Sequence, residues 1–197
     1  MPARPEPVRL RPARREDAAD LARLIDLAGE GLARHVWAGM AGPGEDPMAV
    51  GARRAARDEG AFSWRNAVAA EAAGAVAGAL VTYRIAAAEP VEGLPALFRP
   101  LQALENLAVG TQYVNAVAVC PRFRRRGVGR ALMAEAARRS AGAAGLSLIV
   151  ADANAGAIVL YRACGFAEAA REAIAIADGW SGHGADWVLM RAPAARG

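Results

Sequence analysis

Residues 114–133 constrain the fold most, because an apolar strand pattern there runs into a glycine- and arginine-rich turn and then into a helix pattern. The turn, residues 124–129, reads R-R-R-G-V-G and has the form R-x-x-G-x-G. Glycines let the backbone approach a ligand closely, and unpaired amides at a helix start point toward an anion. The pattern predicts a strand–turn–helix unit that binds an oxyanion, surrounded by Arg122, Arg124, Arg125, Arg126 and Arg130.

Other interpretations of the turn stay open at this point. A short glycine pattern is common, and a run of arginines is also typical of a solvated face or of a nucleic-acid patch. The turn is not a Walker loop, because no G-K-[ST] follows it. It also lacks the third glycine of the dinucleotide fingerprint G-x-G-x-x-G, because residues 127–132 read G-V-G-R-A-L.

A second motif, N-A-G-A-I-V-L-Y-R-A-C-G-F, occupies residues 154–166. Asn154 precedes a predicted helix and either caps it or contacts a ligand. Tyr161 follows about two helical turns later, so both side chains can address one side of the helix. A phenol can donate a proton to a leaving thiolate, although an aromatic residue at a core edge would give the same pattern.

Hydrophobic periodicity predicts helices that alternate with strands along much of the chain. The predicted strands are residues 8–12, 66–71, 75–85, 112–119, 146–150, 166–176 and 186–190. The predicted helices are residues 15–28, 32–37, 48–58, 101–107, 128–144 and 155–164. This alternation predicts an α/β fold with mixed strand directions, formed by residues 1–197 as a single domain.

The composition narrows the classes of partner. All 24 basic residues are arginine, and the net charge of +4 favours small anionic ligands over nucleic acid. The two histidines and two cysteines show no H-x-x-x-H or C-x-x-C spacing, which argues against a metal site. No secretory core and no apolar run long enough for a membrane span is present in the sequence, so we expect a soluble, cytoplasmic protein.

Taken in order and at this spacing, the two motifs resemble those of the GNAT superfamily of acyl-CoA-dependent N-acyltransferases. The resemblance covers about residues 113–166, which match the coenzyme A core of that family. It implies a central, mostly antiparallel mixed sheet of six to seven strands, flanked by helices and splayed at the central strands. It also implies acetyl-CoA as the co-substrate and no metal.

The resemblance implies roles for particular residues. The turn would hold the coenzyme A pyrophosphate through Arg124, Arg125, Arg126, Gly127, Val128, Gly129 and Arg130. The pantetheine arm would lie along Val117, Ala118 and Val119 beside a strand bulge, and Asn154 would contact the cofactor. Tyr161 would bind near the sulfur and act as the general acid, and Glu105 is the first candidate for the general base. Weaker candidates for the base are Glu89, Glu92 and His35, and Trp37 is expected to line the acceptor pocket.

The predicted reaction is therefore the transfer of an acetyl group from acetyl-CoA to a primary amine by direct attack. The acceptor would be a small molecule or a peptide amine, with no nucleic acid and no membrane as partner. A non-catalytic module that binds or senses acyl-CoA is the alternative function. The oligomeric state stays open, with a homodimer among the alternatives.

Overall fold

A seven-stranded sheet forms the centre of the protein in a computed structural model, which describes residues 8–176, 180, 182 and 184–195. The strand order is β1-β2-β3-β4-β5-β7-β6. The strands are β1 (Arg9–Pro12), β2 (Ala67–Ala72), β3 (Ala75–Arg84), β4 (Gln112–Val119), β5 (Leu146–Ala151), β6 (Ala167–Ala173) and β7 (Asp186–Ala192). Neighbouring strands are antiparallel except β4 and β5, which run parallel. The predicted mixed, mostly antiparallel sheet is confirmed.

The helices flank this sheet close to the positions that periodicity predicts. They are α1 (Ala18–Ala28), α2 (Leu32–Ala38), α3 (Pro47–Ala55), α4 (Arg99–Asn106), α5 (Val128–Arg139) and α6 (Ala155–Ala163). The prediction that α5 extends to residue 144 is wrong. The hydroxyl of Ser140 donates to the carbonyl of Ala137, and Gly142 and Gly145 take positive φ values of 72° and 136°. These features end the helix, since left-handed residues do not continue it.

Alternation along the strands sends neighbouring side chains to opposite faces of the sheet. Leu80 packs with α5 and α6, whereas Val81 packs on the other face with α1, α2 and α3. Likewise Leu148 faces α5 and α6, whereas Ile149 faces a third apolar cluster that includes α4. Helices therefore cover both faces of the sheet. Within the described residues, no helix is both long and apolar enough to cross a membrane.

Trp37 packs inside the layer of α1, α2 and α3 rather than at an open cleft. It is 2% exposed, and a Cβ atom at Gly51 would lie 2.4 Å from its indole ring. Only a glycine on α3 lets the indole lie this close. The expectation that Trp37 lines the acceptor pocket is therefore replaced by a role in the core.

An ionic network ties β1 to the start of α1 and to β2. The guanidinium of Arg11 donates to both carboxylate oxygens of Asp17, at 2.7 and 2.9 Å, and to Glu71 at 2.6 Å. Asp17 is 8% exposed and also accepts from the backbone N–H of Arg14 at 2.7 Å. The hydrogen bonds from Arg11 hold the pKa of Asp17 below its usual value, against the opposing effect of burial.

We expect Asp17→Asn to lower the free energy of unfolding by about 3 kcal/mol at pH 7, because it leaves a half-buried guanidinium without its main partner. The folded pKa of Asp17 lies below its unfolded value, so this stabilisation is present above the unfolded pKa of about 3.9. It is lost as the pH falls through the folded pKa. Urea denaturation at pH 7 and at pH 3 checks both points. Asp58→Asn, which removes an exposed carboxylate, is the control and should leave the midpoint unchanged.

Candidate active site

The parallel strands β4 and β5 part near the middle of the sheet. They pair at three positions, the last being Val114 opposite Leu148. At this level the register between β3 and β4 shifts, and Asn115 is the extra residue of a β-bulge in β4. A bulge bends its strand and interrupts the ladder. A gap therefore opens beyond Val114, and among the described residues no strand pairs with the β5-facing backbone of Val117 and Val119, whereas the backbone of Ala118 faces β3.

The turn after β4 leads into an uncapped helix start. Gly127 is the N-cap residue of α5, with a φ of 80°, and no side chain caps this end. The first helical hydrogen bond runs from the N–H of Ala131 to the carbonyl of Gly127. The amides of Val128, Gly129 and Arg130 therefore lie in the first turn, where an α-helix offers donors to an anion.

Glycine is favoured at the two positions of the turn for different physical reasons. Gly127 has no atom within 4 Å of the position of a Cβ, so its left-handed φ is what favours glycine there. At Gly129 a Cβ would lie 3.2 Å from Leu160 and 3.7 Å from Val119. Gly129 thus lets α5 approach α6 and β4 closely. The helix start is held against the edge of the gap by this packing.

Five exposed arginines surround the turn: Arg122, Arg124, Arg125, Arg126 and Arg130. None of them forms an ion pair within the part of the chain that the structure describes. The guanidinium groups of Arg122 and Arg126 lie over the ring of Phe123, at 4.8 and 5.7 Å from its centroid. Farther along α5, by contrast, Arg138 and Arg139 both pair with Glu135. Unpaired positive charge is therefore concentrated beside the uncapped helix start.

Asn154 is the N-cap of α6, which is the capping interpretation that the sequence allowed. Its side-chain oxygen accepts from the N–H of Ala157 at 3.2 Å. The helix ends as its glycine predicts, since Gly165 has a φ of 88° and the N–H of Phe166 reaches the carbonyl of Tyr161 at 3.0 Å. The expected contact between Asn154 and the cofactor stays a prediction.

Tyr161 is a buried phenol beside the gap. It is 8% exposed, and its ring lies 6.1 Å from that of Phe166. Burial raises the pKa of Tyr161 well above its usual value, so the phenol keeps its proton at neutral pH. Tyr113 belongs to the apolar cluster on the opposite face of the sheet. Tyr161 packs in the same cluster as Val114 and Leu148, which form the last pair before β4 and β5 part.

A second group of polar side chains lies on the opposite face of the gap. We name it the tyrosine cluster, and it consists of Tyr83, Tyr113, Asn115 and Glu105. Tyr83 and Tyr113 are partners across β3 and β4, with ring centroids 5.6 Å apart and planes at 67°. The amide nitrogen of Asn115 donates to the hydroxyl of Tyr83 at 3.2 Å. With Tyr161, all three tyrosines of the chain lie at this gap.

Glu105, near the end of α4, joins this cluster beside the phenol of Tyr113. It is half-buried, and burial raises the pKa of its carboxyl against the opposing effect of that phenol. The structure thus brings the first candidate base to the gap. Glu89 and Glu92 are exposed on the segment before α4, and His35 is half-buried on α2.

Two tryptophans that appear scattered in the sequence meet beside the tyrosine cluster. Trp180 and Trp187 stack with centroids 6.1 Å apart and planes at 5°. The indole of Trp180 donates to the carbonyl of Glu30 at 3.4 Å, and both rings belong to the apolar cluster that contains Tyr113. The indole N–H of Trp187 is buried without a hydrogen-bond partner among the described residues. No sequence spacing signals this pair, because contacts between distant segments create it.

Residues 63–168, more than half of the chain, match the family model described as an acetyltransferase (GNAT) domain. The chain belongs to the GNAT acetyltransferase family. The matched residues run from the start of β2 to the start of β6 and include the gap, the uncapped turn and Tyr161. No curated protein matches the chain.

Solved GNAT and other acetyltransferase structures share this fold. One crystal structure of an acetyltransferase has a TM-score of 0.65 and 20% identity, over 95% of this chain and 100% of that one. An N-acetyltransferase from Staphylococcus aureus Mu50 has a TM-score of 0.62 and 16% identity, over 93% and 99%. The ribosomal-protein-S18-alanine N-acetyltransferase from Escherichia coli has a TM-score of 0.55 and 20% identity, over 97% of both chains.

Membership of the GNAT family makes the protein an acyltransferase. Members of the family use acetyl-CoA as co-substrate and transfer to small molecules or proteins. Among the described residues, no cluster of three potential metal ligands occurs.

Proposed function

We propose that residues 1–197 act as one acetyl-CoA-dependent N-acetyltransferase domain whose acceptor is a primary amine. The observation that carries this proposal is the uncapped start of α5 at Gly127, which lies beside a gap between β4 and β5. Free amides and unpaired arginines suit a pyrophosphate, and the unpaired edge of a strand suits the amides of a pantetheine arm. A cofactor with both parts fits this arrangement better than an isolated phosphate does.

Two segments would supply hydrogen-bonding groups for the pyrophosphate and the pantetheine arm of coenzyme A. The first-turn amides of α5, at Val128, Gly129 and Arg130, would bind the pyrophosphate, with the neighbouring arginines adding positive charge. The β5-facing backbone of Val117 and Val119 would bind the pantetheine arm, with Ala118 between them, and Asn154 would contact the cofactor at the start of α6. Bound acetyl-CoA supplies an acetyl thioester beside Tyr161.

The chemistry is direct transfer, in which a C–N bond forms as the C–S bond breaks. Backbone amides near Val117 would stabilise negative charge on the carbonyl oxygen. Glu105 would accept the proton that the amine loses, either directly or through Tyr113. Tyr161, whose buried phenol holds its proton at neutral pH, would donate that proton to the leaving thiolate. Both proton transfers are thus assigned to groups at the gap, on opposite faces of the sheet.

Thiol release from acetyl-CoA tests this function. The purified full chain is mixed with acetyl-CoA and a panel of primary amines, and free thiol is measured over time together with the mass of each amine. We expect amine-dependent thiol release and an acetylated product. Tight binding of coenzyme A by calorimetry, without thiol release across the panel, would instead favour the non-catalytic sensing module.

A further inference from the structure

Within the part of the chain that the structure describes, Glu105 is a carboxylate without a counter-ion, although the protein is rich in arginine. The ion pairs of the described residues engage Asp17, Asp20, Asp26, Glu45, Asp58, Glu71, Glu135, Glu168 and Asp186. Glu105 takes part in none of them, although it is half-buried beside the uncharged phenol of Tyr113. A partly desolvated carboxylate is stabilised by an opposite charge. A cation that binds at Glu105 would supply this charge.

The surroundings of Glu105 also favour a cation. Burial and then the charge of Glu105 raise the pKa of both Tyr83 and Tyr113, and Leu104, next to Glu105 on α4, packs in the same apolar cluster as Tyr113. Aromatic rings attract ammonium groups through their electron-rich faces. No arginine is among the main groups that shift the pKa of Glu105, Tyr83 or Tyr113. A ligand carboxylate next to the amine would therefore meet the negative charge of Glu105.

Asn115 provides a separate observation at the same place. Its side-chain oxygen is buried and has no hydrogen-bond partner among the described residues, while its nitrogen donates to Tyr83. Buried polar atoms in proteins are nearly always hydrogen-bonded, so an unpaired acceptor indicates a missing donor. Asn115 is also the bulged residue at which β4 and β5 part. An N–H group of a ligand bound beside the thioester would satisfy this oxygen.

We propose that the acceptor is a cationic amine with no carboxylate on the carbon that bears its nitrogen, bound by Glu105, Asn115 and the rings of Tyr83 and Tyr113. This inference rests on the proposed function, because it assigns the acceptor side of that same reaction. Glu105 pairs with the ammonium group on entry, and Asn115 accepts one of its N–H bonds. Free α-amino acids are excluded by repulsion between their carboxylate and Glu105.

Calorimetric titration of the full chain saturated with coenzyme A tests the inference without any turnover. The ligands are two matched pairs, 2-phenylethylamine with phenylalanine and 3-methylbutylamine with leucine, whose members differ by the α-carboxylate. We expect the amine of at least one pair to bind about tenfold or more tightly than its amino acid, as for one charged interaction. Equal or tighter binding of the amino acids overturns the inference, and so does the absence of binding by all four ligands.

The substitution Glu105→Gln tests whether this carboxylate causes the preference for amines over amino acids. Glutamine keeps the shape of the side chain and removes its charge, so we expect amine affinity to fall about tenfold while amino acid affinity does not fall. Glu92→Gln removes the same charge from an exposed position on the neighbouring segment and should keep the wild-type preference. Unchanged melting temperature and coenzyme A affinity show that both variants fold. A preference that survives Glu105→Gln contradicts the assignment.

The two proposals fail in different ways. Thiol release from both members of a pair, with no difference in their affinity, supports the acetyltransferase and overturns the inference about the acceptor. Selective binding of amines without thiol release supports the inference and contradicts the proposed reaction.

Discussion

Replacing Gly127 with glutamate should lower the affinity for coenzyme A by about 100-fold or more. The new carboxylate would lie at the N-cap of α5, where the pyrophosphate is proposed to bind. Two like charges about 4 Å apart near a protein surface repel by about 4 kcal/mol, which exceeds the 100-fold effect. Backbone strain at the φ of 80° adds about 1–2 kcal/mol to the cost of folding and does not involve the ligand.

Gly142→Glu is the matched control for this experiment. Gly142 is exposed beyond the far end of α5, has a φ of 72° and has no atom within 4 Å of a Cβ position. The control therefore introduces the same charge with similar backbone strain, away from the turn. Calorimetry with coenzyme A should show wild-type affinity for Gly142→Glu. Retained affinity in Gly127→Glu would mean that the start of α5 is not the phosphate site. Gly129 is a poorer position, because a side chain there would also disturb the packing against Leu160.

The strand–turn–helix unit of β4 and α5 was predictable because its determinants are local. Alternating apolar residues define β4, and the glycines between arginines define the turn before α5. Glu105 was predicted as a base from its place ahead of β4, and the structure puts it beside Tyr113. The end of α5 was missed, because a single hydrogen bond from Ser140 and the left-handed residues after it decide where the helix stops.

Other parts of the site depend on contacts between distant segments, which a single sequence does not encode in its spacing. The insertion of β7 between β5 and β6 places Trp187 beside the gap, where Trp180 stacks on it. Asn115 cannot act as a base, so sequence reasoning gave it no role. Only the bulge and the bond to Tyr83 reveal its buried, unpaired oxygen. The acceptor side thus emerges from tertiary structure, whereas the anion turn is visible in the sequence.

Tyr161→Phe should lower kcat by about 100-fold, the lower range for loss of a general acid. The affinity for acetyl-CoA should change by less than about twofold, because phenylalanine keeps the ring packed near Phe166. Burial keeps the phenol of Tyr161 protonated at neutral pH, so it is ready to donate to the leaving thiolate. Steady-state thiol release and calorimetry with acetyl-CoA measure the two quantities separately.

Tyr83→Phe is the comparison that separates the two faces of the gap. It removes the hydroxyl that accepts from Asn115, so we expect a higher KM for the amine and little change in kcat. Tyr161→Phe should show the reverse, with a lower kcat and an unchanged KM for the amine. An unaltered kcat in Tyr161→Phe would assign Tyr161 to packing alone, as a core-edge aromatic residue. A lower kcat in Tyr161→Phe together with a higher KM for the amine in Tyr83→Phe would support proton donation from α6 and amine binding on the opposite face of the sheet.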